Sequence, residues 1–388
     1  MAKKHPKLAN KFLIGSAINF YGKTKFSKYV KLIGGDALKK IKPPYVVVAN
    51  HASFVDVCGL IMSMYPTCAS FVISVTQLVQ WPQLINSMGV LPKKQFTVDT
   101  SLIRDIKYVL SQNRPVVIYP EAKLSVVGTQ NIIKPAIAKL IKMLKAPLVT
   151  VCFNGNYLYK PRWSKTKRKV PVKLDVKLAV TPDEVDNVTV EEIHRRIVEN
   201  LSCDDYAYQL ENQIEIDTPD LVEGLENILY KCPECGEEFA MTAHGNKLTC
   251  SKCGQGVTQN KFGQLEGGKF DKITDWYNWQ AECVKREISD PMYSFCGFFR
   301  AEKLVKKKYV DMGDAEILHD ANGLVAKFAD QTISYKAGAL YTLSFNNDYV
   351  FLSTAEAVYR FKRLDKVGCT TKLNLAVEQQ TKLLEQNK

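Results

Sequence analysis

The chain has no apolar run approaching the roughly 18 residues of a membrane-spanning helix. That leaves a protein that is soluble or lies on a membrane surface. No secretory leader is legible: the N-terminus is basic, but residues 12–20 form a short, mixed apolar stretch without a cleavage site. A disulfide framework is also missing. Of eleven cysteines, four fall in two Cys-x2-Cys pairs. Cys58, Cys68, Cys152, Cys203, Cys283, Cys296 and Cys369 are scattered, several of them in apolar stretches. That usage fits buried thiols in a reducing, cytoplasmic setting. No internal repeat or low-complexity tract is present, which argues against a solenoid.

Charge of one sign is missing locally. Residues 1–45 hold eleven lysines and a single acid, Asp36, and residues 160–173 hold seven basic residues and no acid. Residues 201–230 hold eight acids and no Lys or Arg. The 388 residues, 46% of them hydrophobic, predict two or three domains with ordinary cores. The net charge of +13, unevenly spread, suits a polyanionic surface, either anionic lipid or nucleic acid.

What is present centres on Asn50-His51-Ala52-Ser53-Phe54-Val55-Asp56. An apolar run, Tyr45-Val46-Val47-Val48-Ala49, precedes it and predicts a buried strand. A five-residue step separates two side chains by about 140° in a regular helix. His51 and Asp56 therefore meet best with His51 in the strand-to-helix turn and Asp56 in the first helical turns. A buried carboxylate then orients one imidazole nitrogen and leaves the other to accept a proton. The plainer alternative is a helix capped by Ser53.

The periodicity predicts an α/β domain. Amphipathic helices are expected within 8–33, either packed on the domain or lying at a membrane interface. Helices are expected over about 54–64, 99–112 and 132–145, and strands at 69–73, 116–119, 147–153 and 170–180. The acidic stretch 204–226 reads as a boundary or linker. The expected division is 1–226 for the α/β domain, 227–262 for a Cys-rich ribbon and 263–388 for a β-rich domain ending in a charged helix.

Cys232-Pro-Glu-Cys235 and Cys250-Ser-Lys-Cys253 are fourteen residues apart, and each is followed by glycine, Gly236 and Gly254. Two such knuckles place four thiolates in a tetrahedron, the arrangement of structural Zn2+. His244 lies between them and is surplus to a closed set of four. Lys247, Lys252 and Lys261 are set against several acids within 223–238, which argues against a nucleic-acid partner.

Three further segments follow His51 and Asp56 in order: Gly89-Val90-Leu91-Pro92-Lys93-Lys94, Tyr119-Pro120-Glu121-Ala122-Lys123-Leu124-Ser125 and Ala146-Pro147-Leu148-Val149-Thr150-Val151. Their order and spacing over about 10–200 resemble the four motifs of the glycerolipid acyltransferases, specifically the 1-acyl-glycerol-3-phosphate acyltransferases. The resemblance implies a mixed sheet flanked by helices, with His51 and Asp56 as the catalytic pair. It implies a glycerol-phosphate site, for which Lys93, Lys94, Glu121 and Lys123 are the candidates here. Gln95 and Leu124 stand where those motifs carry arginine, and Ala122 stands where the third carries glycine.

The implied reaction is acyl transfer from a thioester, acyl-CoA or acyl carrier protein, to the hydroxyl of a lysophospholipid. It would take place on the cytoplasmic face of a membrane, in phospholipid biosynthesis. Backbone N–H groups of the 50–56 turn are candidates for the oxyanion. The alternative is a non-catalytic lipid- or nucleic-acid-binding adaptor on the same scaffold. The last domain, with its short strands and terminal helix, is similar to a pleckstrin-homology-like barrel, and its basic stretch 300–308 reads as a solvated face or, alternatively, a contact for anionic lipid.

Overall fold

The computed structural model describes residues 5–76, 88–93 and 99–386. They separate into two compact units. One comprises residues up to Pro161 together with Lys167–Ile214; the other comprises Arg162–Thr166 and the chain from Glu215 onward.

The first unit is an α/β layer around a seven-stranded sheet. Its strands are β1 (Val30–Ile33), β2 (Val46–Ala49), β3 (Ser70–Ser74), β4 (Leu91–Lys93), β5 (Val116–Ile118), β6 (Leu148–Asn154) and β7 (Val170–Val180). Its helices are α1 (Lys11–Ala17), α2 (Phe54–Met64), α3 (Thr100–Ser111), α4 (Ala136–Leu144), α5 (Asn156–Tyr159), α6 (Val190–Asn200) and α7 (Asp205–Glu211). The strand order is β1-β7-β6-β2-β5-β3-β4. β6, β2, β5, β3 and β4 run parallel, so their carboxyl ends share one edge; β7 is antiparallel to β6 and carries β1 parallel to itself.

β2 is central because Val46, Val47, Val48 and Ala49 are apolar on both faces, and all four are fully buried. α4 buries Ile137, Ala138 and Ile141 and leaves Lys139 exposed, as its periodicity predicts. Together with α3 and α6 it covers one side of the sheet through Ile106, Ile141 and Ile197.

The structure corrects two sequence expectations in this unit. Only 11–26 of the 8–33 stretch is helical: α1 continues as a π-helical segment, Ile18–Phe26. Residues 30–33 are instead β1, because Val30, Leu32 and Ile33 find a partner register on Val170, Val172 and Lys173. The acidic stretch does contain the unit boundary, but it does not open as a linker. Asp204 caps α7 by accepting the Tyr206 and Ala207 N–H groups, and Asp205, Tyr206 and Gln209 are buried.

The second unit carries a four-stranded antiparallel ribbon, β8 (Met241–His244), β9 (Lys247–Cys250), β10 (Gly256–Gln259) and β11 (Leu265–Glu266), in the order β11-β10-β9-β8. Helix α8 (Ile273–Ile288) follows. It is the aromatic stretch, which the sequence did not mark as helical, and it buries Trp276, Tyr277 and Val284.

A seven-stranded antiparallel sheet comes next: β12 (Ser294–Val305), β13 (Lys308–Asp320), β14 (Gly323–Phe328), β15 (Gln331–Lys336), β16 (Ser344–Phe345), β17 (Tyr349–Ser353) and β18 (Val358–Arg363), ordered β15-β14-β13-β12-β18-β17-β16. The chain closes with α9 (Cys369–Gln386), expected as a charged end but buried along most of its length. Glu378 accepts from Thr342 Oγ1 at 2.6 Å, and Asn374 Oδ1 lies 3.1 Å from the same hydroxyl and accepts the Leu343 N–H at 3.1 Å.

Candidate active site

His51 occupies the turn from β2 to α2, and Asp56 is the third residue of α2. Ser53 is the N-cap: its Oγ accepts the Val55 N–H at 3.2 Å, and Asp56 Oδ2 accepts the Ser53 N–H at 3.1 Å. The same Oδ2 accepts the Ala52 N–H at 2.7 Å and lies 2.8 Å from His51 Nδ1. Helix capping and imidazole orientation, alternatives in the sequence, are therefore two uses of one carboxylate.

Asp56 is fully buried, and its Oδ1 accepts from Asn156 Nδ2 at 2.7 Å. A carboxylate only accepts, so His51 Nδ1 carries the proton and Nε2 presents its lone pair. Nε2 has no hydrogen-bond partner among the described residues, and the side chain is 25% exposed. The Tyr119 ring stacks on the imidazole, with centroids 4.1 Å apart.

Glu121 follows β5, the neighbour of β2, at the same edge of the sheet. It is buried. Its Oε1 accepts the His51 N–H at 3.2 Å, and its Oε2 accepts the Asn131 N–H and Nδ2 at 2.9 and 2.6 Å. Burial raises its pKa, against the pull of the Asn131 hydrogen bonds. Ser125 N–H donates to the His51 carbonyl at 2.8 Å, so the segment after β5 grips the His51 backbone from both sides.

Of the residues expected from the sequence, His51, Asp56 and Glu121 come together. Lys123 is buried two residues beyond Glu121. Lys93 is exposed at the end of β4, three strand positions from β2, or roughly 14 Å across the sheet. Lys94 lies outside the described residues. Three of the expected oxyanion donors of the 50–56 turn are otherwise engaged: the His51 N–H by Glu121, and the Ala52 and Ser53 N–H groups by Asp56.

Asn131, Asn156 and Asp205 were missed. Each lies far from the His51 motif in sequence, and no local pattern marks it.

The four cysteines of the ribbon converge. Cys232, Cys235, Cys250 and Cys253 place their Sγ atoms within 4.8 Å of one another, with Cys232···Cys253 at 3.7 Å and Cys235···Cys250 at 3.8 Å. A tetrahedral ion with about 2.3 Å metal–sulfur bonds sets sulfurs about 3.8 Å apart, so the thiols fit Zn2+. The two knuckles repeat one geometry. Gly236 and Gly254 have φ of 74° and 76°, and their N–H groups donate to the Cys232 and Cys250 carbonyls at 3.0 and 2.9 Å. His244 is fully exposed, outside the set.

Comparison with known proteins finds two family matches, one in each unit. Residues 17–154 match the Acyltransferase family model, and this segment carries an acyltransferase domain. Residues 222–259 match the family model of Ribosomal protein S27a, over the segment that carries the four-cysteine set. No curated protein matches the chain. Among solved structures, the 1-acyl-sn-glycerophosphate (LPA) acyltransferase PlsC of Thermotoga maritima is 20% identical, covering 49% of this chain and 77% of its own, with a TM-score of 0.39.

Proposed function

We propose that this protein transfers an acyl group from a thioester to the free hydroxyl of a lysophospholipid, with 1-acyl-glycerol-3-phosphate as acceptor and phosphatidic acid as product. The observation that carries the reading is the His51–Asp56 pair with Nε2 unpartnered. His51 Nε2 takes the proton of the acceptor hydroxyl as its oxygen attacks the thioester carbonyl. Asp56 stabilises the imidazolium that forms. The tetrahedral intermediate collapses with loss of the C–S bond, and the imidazolium returns the proton to the departing thiolate. No protein nucleophile is needed, since the acceptor oxygen attacks directly. Glu121 holds the His51 turn. Lys93, Lys94 and Lys123 are the candidate cations for the acceptor phosphate, and acyl-CoA or acyl carrier protein the donor. Zn2+ on the four cysteines has a structural role.

The enzyme would work at a membrane surface, on its cytoplasmic side. Phe12 and Phe20, 79% and 76% exposed, stand among lysines on the N-terminal helices, a composition suited to an anionic interface. Among the described residues no helix is long and apolar enough to cross a membrane.

The test is His51→Ala, assayed on a panel of lysolipids with both donors and products read by mass. Turnover should fall on the order of 10²- to 10⁴-fold while liposome binding persists. Turnover near that of the parent protein overturns the role given to His51, and a parent protein that turns over none of the lysolipids favours the adaptor.

A further inference from the structure

Asp56 is anchored at both oxygens, and the second anchor comes from a distant part of the chain. Asn156 opens α5, just past β6, and is 1% exposed. Its Nδ2 donates to Asp56 Oδ1 at 2.7 Å, and its backbone carbonyl accepts from Ser53 Oγ at 3.1 Å. Two bonds thus tie the turn after β6 to the start of α2.

That turn is itself pinned. Asp205, 1% exposed at the start of α7, accepts the Gly155 N–H on Oδ1 at 2.8 Å and the Tyr157 N–H on Oδ2 at 2.7 Å. Those two N–H groups flank Asn156. Asp205 N–H in turn donates to the Gly128 carbonyl at 2.9 Å, tying α7 to the loop after β5.

We propose that Asn156 is a positioning residue for the Asp56–His51 pair and that Asp205 positions Asn156. Both lie beyond residue 154, where the acyltransferase match ends. The inference rests on the acyl-transfer reading of His51.

The physical reasons are three. A carboxylate held through Oδ2 alone can turn about its Cβ–Cγ bond and swing Oδ2 off the Nδ1–H direction; a donor on Oδ1 stops that rotation. An amide N–H is also a donor matched to the Oδ1 acceptor, so neither oxygen of the buried Asp56 is left without a partner. Finally, Asn156 Oδ1 is buried with no hydrogen-bond partner among the described residues, a penalty that an apolar side chain of similar volume would not carry. A residue present for packing alone has no use for that amide.

The experiment uses the full chain as Asn156→Ala, Asn156→Asp, Asp205→Asn and His51→Ala, assayed from about pH 6 to 9 against 1-acyl-glycerol-3-phosphate and acyl-CoA. Asn156→Ala should lower kcat on the order of 10- to 100-fold, as loss of an orienting partner one step from the chemistry does. KM for both substrates should stay within about twofold. Its activity should fall by a similar factor across that pH range, because the loss is one of orientation.

Asn156→Asp should add a pH slope that Asn156→Ala lacks. Its ionised form repels Asp56, while its protonated form donates to Oδ1 as the amide does, so relative activity rises as pH falls. Asp205→Asn, left with one acceptor oxygen for two N–H groups, should lose kcat by about tenfold or less.

Parent-like kcat for Asn156→Ala overturns the proposal, provided its Tm lies within about 3 °C of the parent. A flat pH ratio for Asn156→Asp does the same, since a purely structural role moves no titration. If Asn156→Ala fails to fold, the near-isosteric Asn156→Asp carries the test. Activity retained by His51→Ala means that the reading of the site itself has failed. His51→Ala inactive beside a normal Asn156→Ala means that only this inference has failed.

Discussion

Each unit holds a polar assembly, buried in the first and half-buried in the second, and the two are finished differently. In the first unit Asp56 gathers Ala52, Ser53, Asn156 and His51, and the chain of hydrogen bonds then stops at an imidazole whose Nε2 has no partner among the described residues. In the second unit Lys231 and Lys372 alternate with Glu238 and Glu287 in a closed ring. Lys231 contacts the two glutamates at 3.2 and 2.7 Å, and Lys372 contacts them at 2.6 and 2.9 Å. Lys231 adjoins Cys232 and Lys372 lies on α9, so the ring fastens the cysteine knuckle to the terminal helix. A network with one open end can pass a proton to a substrate. A network in which each charge has two partners, like four thiols that already fill a tetrahedron, fixes structure and leaves no position for chemistry.

The largest expected effect falls on the closed assembly. If the four thiols hold an ion, stripping it with a chelator should remove on the order of 10 kcal/mol of folding free energy from the ribbon. Hydrogen exchange should then show β8–β11 unprotected and α9 loosened through the Lys–Glu ring. Full protection in a sample shown to be metal-free breaks the contrast with the open site.

A smaller effect tests the open assembly. Burial, assisted by the charges of Asp56 and Asp204, raises the Asp205 pKa from 3.8 to about 7, against the pull of its two backbone hydrogen bonds. Between these values the unfolded chain has released this proton and the folded one keeps it, so stability falls as pH rises through that window. The contribution is roughly 4 kcal/mol at most. Asp205→Asn should flatten the urea-denaturation stability profile between about pH 4 and 7 even as it lowers kcat. An unchanged slope would mean that Asp205 does not titrate there.

The smallest effect is at Ala122, whose φ is +59°. An L-residue there costs about 1–2 kcal/mol, part of which glycine returns as chain entropy. Ala122→Gly should therefore stabilise the protein by about 1 kcal/mol, read by urea denaturation. Destabilisation would show that the Ala122 methyl group packs usefully in the turn after β5.

Much of the first unit was legible because its signals are local. β2 is a run of apolar residues, α4 has a clean helical period, and residues 170–180 alternate over the whole of β7. His51 and Asp56 were legible for the same reason: both belong to one strand-to-helix turn. The stretch 30–33 was misread because short apolar–basic alternation suits a helix or an edge strand equally, and only the register with β7 decides. α9 looked solvated because its sequence shows charges without their partners, which lie on the knuckle and on α8.

The sequence by itself determined the strand-to-helix turn that carries His51 and Asp56, the paired spacing of the four cysteines and the α/β and β-rich character of the fold, since each is written in spacing along a few dozen residues. Tertiary structure alone decided how the Asp56 carboxylate is held. Asn156 lies a hundred residues beyond Asp56, and Asp205 reaches Gly155 and Tyr157 across about fifty more. A hydrogen bond needs about 3 Å and a direction. Proximity of that kind arises when β2, β5 and β6 end at one edge of a sheet, and no sequence period encodes it.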